Sequence, residues 1–211
     1  MLITKIQRSR RERNRYEVVV DEKPALRISE MLLLKWGLYA GMELDEPAFV
    51  KLSAAADRES AYQHALNFIS YRPRSSKEIL DKLSRHNFDR DLARQVIDLL
   101  KDQHLLDDAE FARMYVRDRL KGKPMGRSLL RKKLMEKGIS FQLSDRVLKE
   151  YVTDEDEEAA AKALLARKLK ASAARFSKLD ALTRQKRLMD YLVQRGFSFE
   201  IASKTARSLN R

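Results

Sequence analysis

Apolar residues in this chain follow two rhythms. Between Leu2 and Ser29 they fall in short runs rich in Ile, Val, Thr and Tyr, such as LITKIQ and RYEVVV, broken by the turn signal DEKP. Runs of this kind predict strands. ALRIS (Ala25–Ser29) predicts a third strand, and Ser29 can cap a short helix through EMLLLKW that stops at Gly37. From Asp45 onward the apolar spacing changes to three and four residues, which predicts helix. Ala61, Ala65, Phe68 and Ile69 form one stripe, and Leu92, Val96, Leu99 and Leu100 another. Phe111, Met114 and Tyr115, with Val116, form a third.

Within the helical region a short pattern occurs three times: DKLSRHNFD (Asp81–Asp89), KKLMEKGIS (Lys132–Ser140) and DYLVQRGFS (Asp190–Ser198). Aligned on Leu83, Leu134 and Leu192, each copy reads Leu, mostly polar residues, Asn or Gly, a large apolar residue, then Asp or Ser. Asn87, Gly138 and Gly196 are types that accept the left-handed backbone at a helix end. Phe88, Ile139 and Phe197 can pack back on the Leu five positions earlier, as in a Schellman ending. Asp89, Ser140 and Ser198 are strong N-caps. The pattern predicts a helix that stops, turns tightly and is followed at once by the next. Ile79, Leu130 and Leu188 extend the match one helical turn back, and Leu92, Leu143 and Ile201 extend it forward. Pro73 and Pro124 share an offset, while the third copy has Leu182 there.

The expected fold is mainly α: tandem three-helix repeats behind a small N-terminal β-rich module. The expected divisions are residues 1–57 for the β module with a short helix, 58–106 for repeat 1, 107–152 for repeat 2 and 153–211 for repeat 3. Ser75 with Glu78, and Asp107 with Glu110, have capping-box spacing. The acidic run TDEDEEAA (Thr153–Ala160) suits the positive end of a helix. The connection RKLKASAARFSKLDALTRQKR makes the third repeat longer than the others, and its opening residues should continue a helix.

Charge changes the picture next. The 211 residues carry a net +13 with a pI near 9.9. Residues 1–57 contribute +1, 58–108 contribute 0, 109–152 contribute +7 and 153–211 contribute +5. A solvated helical surface accounts for many Lys and Arg, but an excess confined to two repeats points to an anionic partner. The basic loop Arg8–Asn14 between the first two strands is either a further contact or an exposed hairpin tip. The chain has no cysteine, which excludes disulfides and thiolate metal sites. No stretch reads as a membrane span or a signal peptide, so a cytoplasmic protein is expected. GxxxxGK[ST], GxGxxG and a nucleophile elbow are all absent. His64, His86 and His104 lack ligand spacing. Asp107–Asp108 invites a two-carboxylate metal site, but a helix cap fits it better. Neither catalysis nor a cofactor is expected.

RPRSSKEILDKL, LLDDAEFARMYVRDRL and LLRKKLMEKGIS, in this order over residues 60–152, resemble the RecX family of bacterial recombination regulators. The third repeat matches more loosely, and the β module resembles an extension found in longer members. The resemblance implies a non-catalytic monomer acting in DNA recombination, DNA repair and the SOS response. It implies binding to the RecA recombinase and its filament on single-stranded DNA, inhibition of ATP hydrolysis and strand exchange, and limited filament growth. Weak sequence-independent DNA binding is compatible with it. Charge clustering nominates the contacts: Arg72, Arg74 and Lys77 in repeat 1; Arg113, Arg117, Arg119, Lys121, Lys123, Arg127, Arg131 and Lys132 in repeat 2; Arg167, Lys168, Lys170, Lys186 and Arg187 in repeat 3. The alternative is a nucleic-acid-binding helical-repeat module that acts without RecA, with salt-sensitive affinity of its own.

Overall fold

A computed structural model of the chain describes residues 1–9, 14–122 and 124–209. The basic tip between the first two strands lies largely outside them. The chain divides into two compact units, residues 1–73 with 79–106, and residues 74–78 with 107–211.

In the first unit, β1 (Ile3–Arg8), β2 (Arg15–Val20) and β3 (Lys23–Ser29) form an antiparallel meander. Ile6 lies opposite Val18, and Val18 opposite Leu26. Ser29 caps α1 (Glu30–Lys35) by accepting from Leu32 N, and Gly37 follows with φ +59. Asp45 then caps α2 (Glu46–Tyr71), a 26-residue helix. α2 serves two cores. Its first half puts Leu52 and Ala56 with Ile3, Val18 and Ile28 of the sheet. Its second half puts Ala61 and Ala65 with Ile79, Leu83, Val96 and Leu100. The 57/58 division expected from sequence therefore falls inside a continuous helix. α3 (Ser76–Arg85) and α4 (Arg90–Asp102) complete the first three-helix set.

The second unit holds α5 (Asp108–Lys121), α6 (Arg127–Glu136), α7 (Phe141–Tyr151), α8 (Asp154–Ala171), α9 (Ala173–Phe176), α10 (Ala181–Gln194) and α11 (Phe199–Ser208). Phe111, Val116, Leu130, Leu134 and Leu148 centre one core. Leu165, Leu188, Leu192, Phe197 and Ala202 centre the next. The structure thus has a three-strand sheet and three three-helix sets, the third lengthened by α9.

All three repeated turns are Schellman endings. Phe88 N donates to Leu83 O, Ile139 N to Leu134 O and Phe197 N to Leu192 O, at 3.0–3.2 Å. Asn87, Gly138 and Gly196 take φ of 64°, 84° and 84°. Asp89, Ser140 and Ser198 cap the following helices. α4 ends in the same way on His104 (φ 57°), which the glycine pattern does not flag.

Two of these turns are also seats for the start of another helix. Gly126 N donates to Arg195 O at 2.9 Å and Ser128 N to Gly196 O at 3.0 Å. A Cβ on Gly126 would lie 2.2 Å from the Gly196 carbonyl, and one on Gly196 would lie 2.3 Å from Leu129 N. The Gly138 turn receives the first turn of α3 through side chains instead. The Ser75 hydroxyl donates to Lys137 O at 2.7 Å while accepting from Glu78 N, and a Cβ on Gly138 would meet Lys77 Cβ at 2.4 Å. Lys77 Nζ reaches Glu136 O, and Glu78 pairs with Lys137 Nζ at 2.6 Å. In the 51-residue and 58-residue offsets of the repeats, Ser75 matches Gly126 and Lys137 matches Arg195. The helix start at α10 departs from this pattern: it begins a turn early at its Asp180 cap, so Arg184 stands inside the helix where the matched position in α6 is the Gly126 cap.

Candidate partner-binding surface

The cations of the second repeat sit largely in internal pairs. Arg113 pairs with Glu110 one turn back on α5 (3.2 Å), and the packing of α5 beside α7 brings it to Glu150 (3.8 Å). The Glu110 hydrogen bond, followed by smaller contributions from Glu150, holds the Arg113 guanidinium more firmly in its charged form. Arg117 reaches the same Glu110 at 3.0 Å and lies over the Tyr151 ring. Arg119 lies over Tyr115, 5.0 Å from the ring centre. Arg131 pairs with Asp145 at 2.6 Å and covers Phe141, with its Nε buried and without a partner among the described residues. Asp145 is held below the usual carboxylate range by its hydrogen bonds from Lys149 and then Arg131.

Arg127 is the most engaged of these. It reaches Val152 O and Asp154, and its backbone N donates at 2.9 Å to Glu157, a carboxylate only 3% exposed. Its Nε lies 3.5 Å from the same carboxylate. Arg127 is therefore a clamp at the Gly126 seat, and its charge is answered locally. Lys121 and Lys132 are exposed with no ion pair among the described residues, and Lys123 lies outside them.

Of the first cluster, Arg72 is exposed and donates to Pro73 O, Arg74 is half-buried, and Lys77 sits on the Gly138 turn. Asp107 caps α5 through Ala109 N and Glu110 N, while both oxygens of Asp108 accept from Ser76. Each carboxylate of that pair is thus occupied by backbone or hydroxyl donors. No group of acidic and imidazole side chains suited to a metal ion occurs among the described residues.

The third repeat differs. Arg167, Lys170, Lys186 and Arg187 are exposed and carry no carboxylate partner within ion-pair distance among the described residues. Lys168 lies over Tyr191, 5.2 Å from the ring centre. Lys168 and Arg187 line one cleft, whereas the other candidates of this repeat are spread around the helices. Two contributors to that surface, Arg175 on α9 and Tyr191 on α10, were missed by charge clustering. Arg175 stands in the inserted segment, whose excess length was its only signal in the sequence.

Three successive three-helix sets with an uneven cationic surface define a helical-repeat protein. The chain matches the RecX first three-helix domain over residues 61–100, the second over 107–148 and the third over 155–205. It is 31% identical to regulatory protein RecX of Bacillus licheniformis over 201 residues, covering 95% of this chain and 74% of the relative. It is 29% identical to regulatory protein RecX of Listeria innocua over 206 residues, covering 98% and 75%. A crystal structure of regulatory protein RecX aligns with TM-score 0.76 and 26% identity over 97% of this chain and 98% of that one. RecX from Lactobacillus salivarius aligns with TM-score 0.65 and 30% identity over 74% and 98%. The chain belongs to the RecX family. No helix among the described residues is long and apolar enough to cross a membrane.

Proposed function

We propose that this chain is a non-catalytic regulator that binds the RecA recombinase and its filament on single-stranded DNA. In this reading it lowers ATP hydrolysis and strand exchange and limits filament growth, acting in the cytoplasm as a monomer. The observation that carries it is the ordered match of all three RecX domains across residues 61–205, with relatives named regulatory proteins. The functional modules are taken as 1–57, 58–106, 107–152 and 153–211. Exposed cations are the natural contacts to acidic protein surface or DNA phosphate. Of the second-repeat candidates, Arg119, Lys121 and Lys132 lack, among the described residues, the carboxylate pairing of Arg113, Arg127 and Arg131.

The test is the single-stranded-DNA-dependent ATPase of RecA with this protein titrated in. Inhibition well below one protein per RecA is expected. Absence of inhibition, with free DNA still bound, would replace this reading by the RecA-independent nucleic-acid module. Joint charge reversal of Arg117, Arg119, Lys121 and Lys123 should shift the inhibition curve to higher concentration. An unchanged curve removes that cluster from the interface.

A further inference from the structure

We propose that the third repeat carries a phosphate-binding cleft, between α8, α9 and α10, that takes the backbone of a nucleic-acid strand. The cleft has a volume of about 310 Å³, and Phe176, 7% exposed, is packed beneath it. Lys168 from the end of α8, Arg175 from α9 and Arg187 from α10 line it, against one carboxylate, Asp190. Among the described residues, neither Arg175 nor Arg187 has an ion-pair partner. That separates them from Arg113, Arg117, Arg127 and Arg131, each of which meets a carboxylate in its own repeat or at the seat beside it. A cation already beside a carboxylate presents less net positive charge to a new anion, because the carboxylate offsets its field. Guanidinium groups that line one concavity and have no ion pair among the described residues keep their donors for a ligand, and guanidinium matches phosphate in shape and charge.

The insertion builds the cleft. The first repeat connects α2 to α3 through residues 72–75, and the third places Ser172–Asp180, including α9, between α8 and α10. Tyr191 at the wall has Lys168 5.2 Å and Arg195 5.3 Å from its ring centre. With two cations already at the ring, base stacking is not its role, so the cleft reads charge and not sequence. Three cations against one carboxylate suit successive phosphodiester charges better than the single charge of an isolated carboxylate.

The experiment is fluorescence anisotropy of the full chain with labelled oligo-deoxythymidine across a salt series. RecA is absent, so the result is separable from the ATPase titration. Arg175→Gln/Arg187→Gln should weaken binding about tenfold at low salt and reduce the log–log salt slope by about 1. Arg94→Gln/Lys149→Gln, equal in net charge and both already paired with a carboxylate, should cost at most about threefold. Arg175→Lys/Arg187→Lys, which keeps both charges, should hold most of the salt slope and guards against a simple folding defect. Equal losses from the two Gln pairs would overturn the proposal, because binding would then follow net charge alone. Competition by polyglutamate at matched charge, lost in the Arg175/Arg187 variant, would overturn it in favour of an acidic peptide. Tight binding of ATP lost in the same variant would overturn the strand as the phosphate source and make the cleft a nucleotide site.

Discussion

Gly126→Ala tests whether the repeated turn is a seat for backbone as well as a helix stop. Gly126 takes φ −76° and ψ 162°, which alanine adopts without strain. Removing glycine's freedom in the unfolded chain would by itself stabilise by about 0.4–1 kcal/mol. The added Cβ, however, would lie 2.2 Å from the Gly196 carbon and oxygen and 2.3 Å from Phe197 N, where ordinary contact begins at 3.4 Å. These are backbone atoms and cannot swing aside. Opening the seat by about 1 Å breaks the bonds Gly126 N to Arg195 O and Ser128 N to Gly196 O, now 2.9 and 3.0 Å. Each such bond is worth roughly 0.5–1.5 kcal/mol, and leaving the groups buried and unpaired adds to the loss. The net expectation is destabilisation of about 2–4 kcal/mol, or a Tm lower by roughly 4–16 °C for a chain of this size. Gly37→Ala is the reference, because Gly37 has φ +59° and nothing within 4 Å of its added Cβ. It should cost only about 1–2 kcal/mol, from the left-handed backbone alone. Urea unfolding gives the magnitudes, and hydrogen exchange at Gly126 and Ser128 locates them. A Gly126→Ala protein that melts with wild type and keeps both amides protected would refute the seat.

Leu134, fully buried in its core, should lose roughly 2–5 kcal/mol on Leu134→Ala, read by urea unfolding; an unchanged midpoint would contradict the repeat register. Arg127→Met should destabilise by roughly 3 kcal/mol because it leaves the Glu157 carboxylate buried without its cation, and Arg127→Met/Glu157→Leu should recover much of the loss. Ser144→Ala should be neutral or stabilise by up to about 1 kcal/mol, since the buried Ser144 hydroxyl has no partner among the described residues and Ala202 occupies the matched position; a lower Tm would reveal a hidden bond. Asp89, Asp145, Asp156 and Asp180 are held below the usual carboxylate range, chiefly by Leu92 N, Lys149, Thr153 N and Thr183 respectively. Their contribution is therefore complete above the unfolded aspartate pKa and is lost as pH falls through the lower folded values. Thermal melts should be flat at neutral pH and decline in acid, and Asp89→Asn with Asp180→Asn, which keep the cap acceptors, should flatten that decline.

The helix stops were legible because a Schellman ending is local: Leu134, Gly138, Ile139 and Ser140 carry its whole logic within seven residues. So were the strands and the cap at Ser29. The second role of Gly138 and Gly196 was not legible, because a left-handed φ already explains a glycine and close approach involves residues sixty or more positions away. Charge clustering found where cations are dense but could not show which are answered. Arg113 and Glu150 meet only once α5 and α7 pack, and Arg127 and Glu157 only at the seat. Conversely Arg175 stood outside every dense cluster, and only the path through α9 brings it beside Arg187.

Arg184 inside α10 has a consequence for how such a chain could be lengthened. Another module placed after the third would bring its own glycine turn to a helix whose matched position is an arginine within regular helix, not a bare cap residue free to donate its N–H. A duplicate of residues 107–152 inserted beside the original would bring both halves of the joint, the glycine turn of α6–α7 and the glycine start of α6. A joint of the Gly126 kind, made by a free cap N–H, is therefore available at α6 and not at α10, where Arg184 N already donates to Asp180 O within the helix.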